Sequence, residues 1–142
     1  MKVYIASPLD KDKRKYAQAV KCYLKQDCGF DVFFPFDHTV PNAWELSNQE
    51  WAELVFFNDV NAIKDCDIVV ALSYGRQSTA GTNFEIGYAY GLGKKVIVVE
   101  MTDNIMSLMV SNCSHATVKG LYGLFEYDFD LMPKVRTETE QM

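Results

Sequence analysis

The stretch DIVVALS, Asp67 to Ser73, is apolar at consecutive positions rather than alternate ones. A run of that kind is buried on both faces, as a central strand of a parallel sheet must be. Working outward, KVYIAS (Lys2 to Ser7) and Asp31 to Phe34 read as shorter strands, closed by Pro8 and Pro35. Val96 to Glu100 is a second fully apolar strand, and Ala116 to Lys119 fits a short fifth. Helical spacing fills the gaps. Tyr16, Ala19, Val20, Tyr23 and Leu24 lie on one face of a helix over Asp12 to Gln26, which Gly29 stops. Pro41 and Asn42 open a long helix to about Lys64, and Gly81 and Thr82 start another through Leu92. Asn104 to Val110 and Gly120 to Phe125 are shorter helical stretches. Strand and helix alternate throughout, which predicts a three-layer α/β sandwich on a five-stranded parallel sheet.

The whole chain has 142 residues, the size of one domain. Residues 1–132 carry the elements, and a polar tail over 133–142 is expected to be loose. Hydrophobic residues make up 49% and charged residues 23%, the balance of a globular chain that buries a real core. A net charge of −5 argues against a polymeric nucleic acid or an anionic membrane as partner. No apolar run approaches the roughly 20 residues of a membrane helix, and the N-terminus lacks a signal-peptide pattern. Cys22, Cys28, Cys66 and Cys113 are scattered without a CxxC pair, which fits free thiols in a reducing cytoplasm rather than a zinc site.

Parallel α/β sheets collect ligands beyond the carboxyl ends of their strands. That rim comprises Ser7 to Asp10, Pro35 to Thr39, Ser73 to Glu85 and Glu100 to Asn104. Ser7 and Gly81 are therefore candidate substrate contacts. Thr82-x-x-Glu85 is a capping box, which accounts for that pair without any chemistry. The chemical reading is that the helix N-terminus keeps Glu85 ionised as a nucleophile. Asp59 sits late in the long helix, usually a solvated position, but Phe56, Phe57, Val60 and Ile63 surround it with apolar surface. A carboxyl group there has a raised pKa and can donate a proton. Neither GxGxxG nor GxxxxGK[ST] occurs, so dinucleotide or NTP binding has no support.

Together the motifs KVYIASPL, ND-x-x-x-IKDCDIVVA (Asn58 to Ala71), GTNFEIGYAYGLGK (Gly81 to Lys94), SLMVSN (Ser107 to Asn112) and ATVKG resemble the nucleoside 2-deoxyribosyltransferase family. The resemblance implies a flavodoxin-like fold, no metal and no organic cofactor. It also implies homo-oligomers with sites shared between subunits, acting on a small deoxynucleoside or deoxynucleotide and a nucleobase. It assigns Glu85 as the nucleophile that forms a covalent deoxyribosyl ester and Asp59 as the acid at the leaving base. Tyr4 falls on a tyrosine that positions the nucleophile, and Met109 on a sugar-pocket methionine. Two positions depart from the transferases. Thr79 and Ser107 stand where an Asp and an Asn usually hold the sugar 5′-hydroxyl, and related 5′-monophosphate N-glycosidases carry serines there. His38 matches a histidine of that branch. The resemblance thus points to a 5′-monophosphate, hydrolysed to free base and deoxyribose 5-phosphate. Base exchange between deoxynucleosides and nucleotide binding without turnover are the alternatives.

Overall fold

A computed structural model describes residues 1–142. Five strands, β1 (Lys2–Ala6), β2 (Asp31–Phe33), β3 (Ile68–Ser73), β4 (Lys95–Glu100) and β5 (Ala116–Lys119), form one sheet in the order β2-β1-β3-β4-β5. Every pairing is parallel, as expected, and the order is that of a flavodoxin-like doubly wound sheet. Each residue of β3 is buried, which is why its sequence does not alternate. The five helices are α1 (Lys11–Cys22), α2 (Asn48–Asp65), α3 (Ala80–Gly91), α4 (Leu108–Cys113) and α5 (Gly120–Glu126). On one face of the sheet Val3, Ile5, Val70 and Leu72 pack with Val20 of α1 and Leu124 of α5. On the other, Tyr4, Ala6, Val69 and Ala71 pack with Ile63 of α2, Ile86 of α3 and Val110 of α4. No helix is long and apolar enough to cross a membrane.

Four expectations need correction. α1 ends at Cys22 and widens into a π-type turn over Tyr23–Asp27 before Gly29 reverses the chain at φ +70°. The long helix begins at Asn48, not at Pro41. Asn42 takes a left-handed conformation before a short 3₁₀ turn, and Ser47 and Glu50 form the reciprocal capping box that sets the helix start. α4 likewise begins after Ser107, whose hydroxyl accepts from the Val110 N–H.

The fourth correction is the tail, which is docked. Thr117 N–H donates to Val135 O, Met106 N–H to Glu140 O, and Met142 N–H to Met106 O. Arg136 donates to the carbonyls of Ser111 and Ser114 at the end of α4. The physical cause lies in β4, whose last residue, Glu100, is 2% exposed. Its carboxylate needs donors, and the tail supplies the hydroxyls of Thr137 and Thr139, with Lys119 Nζ more distant at 3.9 Å. Replacing both threonines by valine should lower stability by on the order of 3 kcal/mol, because a buried carboxylate loses its donors. Adding Glu100→Gln to that background should recover part of the loss, and urea unfolding reads both.

Candidate active site

A cavity of about 300 Å³ opens beyond the carboxyl ends of β1 and β2, beside the start of α3. The segment after β1 contributes Ser7, Leu9 and Asp10, and the segment after β2 contributes Phe34, Pro35 and Phe36. α2 adds Phe56, Asp59 and Val60. The start of α3 adds Thr79, Gly81, Thr82, Phe84 and Glu85. The wall is largely apolar, with four phenylalanines, and its polar groups gather at α3, at Asp59 and in the β1 loop. Such a shape suits a flat apolar ring attached to a polar group.

Glu85 sits deeper than its expected position at a helix start. The N-cap is Thr79, whose hydroxyl accepts from the Thr82 N–H at 3.4 Å and shares a hydrogen bond with the Thr82 hydroxyl at 3.1 Å. No Thr82–Glu85 capping box forms, so Glu85 falls in the second turn and its side chain is half-buried in the cavity. There the Tyr4 hydroxyl donates to Glu85 Oε2. Burial pushes the Glu85 carboxyl up to about 8, opposed by the Tyr4 hydrogen bond, and the nearby Asp59 charge adds to the rise. The helix N-terminus therefore does not keep Glu85 ionised at neutral pH. Burial wins.

Asp59 behaves as its apolar neighbours predict. Burial raises it to about 6, with His38 pulling weakly the other way. Tyr4 is fully buried, stacks on Phe33 at 5.5 Å, and has its phenol driven well above the ordinary range by burial and by Glu85. His38 stacks on the far side of Phe33 at 4.2 Å and lies outside the cavity lining.

Of the sequence-derived residues, the fold brings Glu85, Asp59, Ser7, Thr79 and Gly81 to one cavity, with Tyr4 beneath Glu85. A Cβ on Gly81 would meet no protein atom within 4 Å, so glycine here keeps space free. Ser107 and Met109 do not reach this cavity, and Met109 is 73% exposed. Arg76 does not line it either, and its guanidinium rests on Met142 Sδ. Several lining residues were not singled out in the sequence. Phe34 and Phe84 complete the aromatic wall, and Asp10 adds a third carboxylate. The rim segments 7–10 and 73–85 were a positional signal for Asp10 and Phe84, whereas Phe34 falls just before the rim segment that starts at Pro35.

The family model for nucleoside 2-deoxyribosyltransferases matches residues 3–132. A nucleoside deoxyribosyltransferase of Lactobacillus leichmannii is 27% identical over 99 residues, covering 63% of this chain and 62% of that enzyme. The match thus spans less than two thirds of the length of that curated relative. The 2-deoxyribosyltransferase of Bacillus psychrosaccharolyticus superposes with a TM-score of 0.84 at 32% identity, over 94% of this chain and 96% of the other. A CMP N-glycosidase of Clostridium botulinum superposes at 0.62 with 22% identity, over 92% and 99%, a likeness of fold alone.

The raised carboxyls set a pH dependence of stability. A folded pKa above the unfolded one means that the folded state binds more protons, so stability falls as pH rises between the two values. For Asp59 that window runs from about 4 to 6, and for Glu85 from about 4.5 to 8. Glu85→Gln should leave the melting temperature nearly unchanged near pH 4 and raise it increasingly toward pH 8. Thermal unfolding across that range checks it.

Proposed function

The chain belongs to the nucleoside 2-deoxyribosyltransferase family, and we propose that it cleaves the N-glycosidic bond of a 2′-deoxynucleoside through a deoxyribosyl ester on Glu85. The observation that carries this reading is the Tyr4–Glu85 pair, a cavity carboxylate held from below by a buried hydroxyl and faced by Asp59. A Glu85 carboxylate oxygen attacks the anomeric carbon while the bond to the base nitrogen breaks, its electron pair leaving with the base. Asp59 supplies the proton that neutralises the departing nitrogen. Tyr4 fixes the orientation of Glu85 by its hydrogen bond. A second base attacking the ester regenerates Glu85 and gives transfer, whereas water gives hydrolysis. The base stacks among Phe34, Phe36, Phe56 and Phe84, which supply the apolar wall.

Assembly is part of the proposal. Trp51, Leu54, Phe57, Tyr90 and Met109 are each more than two-fifths exposed on α2, α3 and α4. Covering such surface with further copies of the chain brings Ser107 and Met109 of one subunit within reach of a neighbour's cavity, the homo-oligomeric arrangement the resemblance implies. All four cysteines are unpaired, which supports a reducing cytoplasmic setting for nucleoside or nucleotide salvage.

A second reading is hydrolysis of a deoxynucleoside 5′-monophosphate. Thr79 and the N–H groups at the start of α3 favour it, since hydroxyls and helix N-termini receive phosphate. The lining weighs the other way, with Asp10, Asp59 and Glu85 and no lysine, arginine or histidine. The free 5′-hydroxyl is the better fit.

Incubation with a deoxynucleoside, with and without a second base, tests the reaction by chromatography. New deoxynucleoside should form, and Glu85→Ala should abolish base release while the chain stays folded. Robust turnover by Glu85→Ala overturns the mechanism. The two raised carboxyls further predict a bell-shaped kcat/KM with limbs near pH 6 and 8. Asp59→Asn should slow poor leaving groups by about 10²–10⁴-fold and remove the alkaline fall. Equal losses on activated and poor leaving groups would make Asp59 a binding residue instead.

A further inference from the structure

We infer that Asp10 selects the sugar's 5′ substituent, its carboxylate accepting a free 5′-hydroxyl and turning away a 5′-phosphate. This rests on the reading that the cavity cleaves an N-glycosidic bond. Asp10 occupies the N-cap of α1, where an aspartate ordinarily turns back to accept the helix's own N–H groups. It does not do so: no side-chain cap hydrogen bond forms. Its hydrogen-bond partner is Lys13 Nζ, 3.0 Å from Oδ2, while the side chain stays half exposed and lines the cavity. One carboxylate oxygen is thus left over for a ligand donor.

The neighbours of Asp10 fix which end of the cavity it serves. Lys13 Nζ lies 4.6 Å from the centre of the Tyr74 ring, at the exit of β3. The Tyr74 N–H donates to Ser78 Oγ at 2.7 Å, immediately before Thr79. Burial pushes the Tyr74 phenol up to about 12, with Tyr16, Asp12 and Asp10 adding to the rise. Through Lys13, Asp10 is thus linked to the loop that leads into α3, whereas Asp59 stands on α2. A nucleoside with its base beside Asp59 and its anomeric carbon at Glu85 turns its 5′ end toward Ser7, Asp10 and Thr79. Thr79 is already committed to the Thr82 N–H and hydroxyl, which leaves Asp10 as the acceptor. An ionised carboxylate accepts strongly from a hydroxyl and only repels a phosphate.

The test compares a 2′-deoxynucleoside, its 5′-deoxy analogue and its 5′-monophosphate. The wild type should use the nucleoside best. Asp10→Asn should lower its kcat/KM about tenfold or more and leave the 5′-deoxy analogue unaffected, since the lost bond is absent there. The same variant should improve use of the monophosphate, because Lys13 is then freed of its carboxylate. Calorimetric binding of the three ligands to Glu85→Gln, with and without Asp10→Asn, repeats the comparison without turnover. Retained 5′ preference in binding with no base release by the wild type overturns the reaction and keeps the role of Asp10. Base release with a ratio that Asp10→Asn does not change overturns the role of Asp10, as does binding of none of the three ligands. A wild type that prefers the monophosphate overturns it as well.

Discussion

The hydrogen bond from Tyr4 to Glu85 is the constraint around which the site is arranged. A carboxylate beside a helix start is ordinarily drawn to solvent or to the helix's own N–H groups, where it ionises freely. Glu85 is cut off from the helix's own N–H groups and half-buried, because Thr79 takes the cap and sets Glu85 one turn further in. Holding it there requires a donor from the sheet. Tyr4 is that donor because β1 pairs in parallel with β3 in the register Tyr4↔Val69, which turns its ring to the α2/α3 face. A one-residue slip would send the phenol to the opposite face and leave Glu85 without its partner. The central sheet pairing and the Tyr4–Glu85 contact are thus fixed by one alignment.

A second buried carboxylate, Glu100, is handled in the opposite way. Its oxygens are met by the hydroxyls of Thr137 and Thr139, with Lys119 at the margin. Those donors fasten the tail across β5 and the start of α4 through the Val135 and Glu140 carbonyls. Glu100 is satisfied by its surroundings and so serves as an anchor. Glu85 accepts one hydrogen bond, from Tyr4, and lines the cavity, so it remains available to a ligand. Degree of satisfaction, more than burial, separates the structural carboxylate from the proposed nucleophile.

The sheet was legible because continuous apolar runs have one physical meaning in an alternating chain, and β1, β3, β4 and β5 lie where those runs predict. Helix starts were less legible, for a reason visible in the residues. Pro41 and Asn42 suit a helix opening, but Asn42 also suits a left-handed turn, and Ser47 with Glu50 carried the stronger signal. The same competition between cap residues misplaced Glu85, since Thr79 and Thr82 are equally able to cap. The tail was misread from its composition. Its threonines are polar because a buried glutamate needs donors, and Glu100 inside an apolar strand was the clue. Among the candidate site residues, those on the rim of β1 and β3 converge, while His38, Ser107 and Met109 stand apart within the single chain.

Two carboxyls of unequal burial impose an order on the proposed reaction. With burial raising Glu85 to about 8 and Asp59 to about 6, Glu85 holds its proton more tightly than Asp59 does. Attack on the anomeric carbon needs the reverse, an ionised Glu85 and a protonated Asp59. The reaction's own charges supply the correction. As the glycosidic bond stretches, positive charge grows on the sugar beside Glu85 and favours its carboxylate, while negative charge grows on the base beside Asp59 and favours its acid form. Both shifts are largest at the transition state and small in the ground state. The reactive protonation state is therefore favoured most while the bond is breaking, which offsets part of the cost of leaving the resting one.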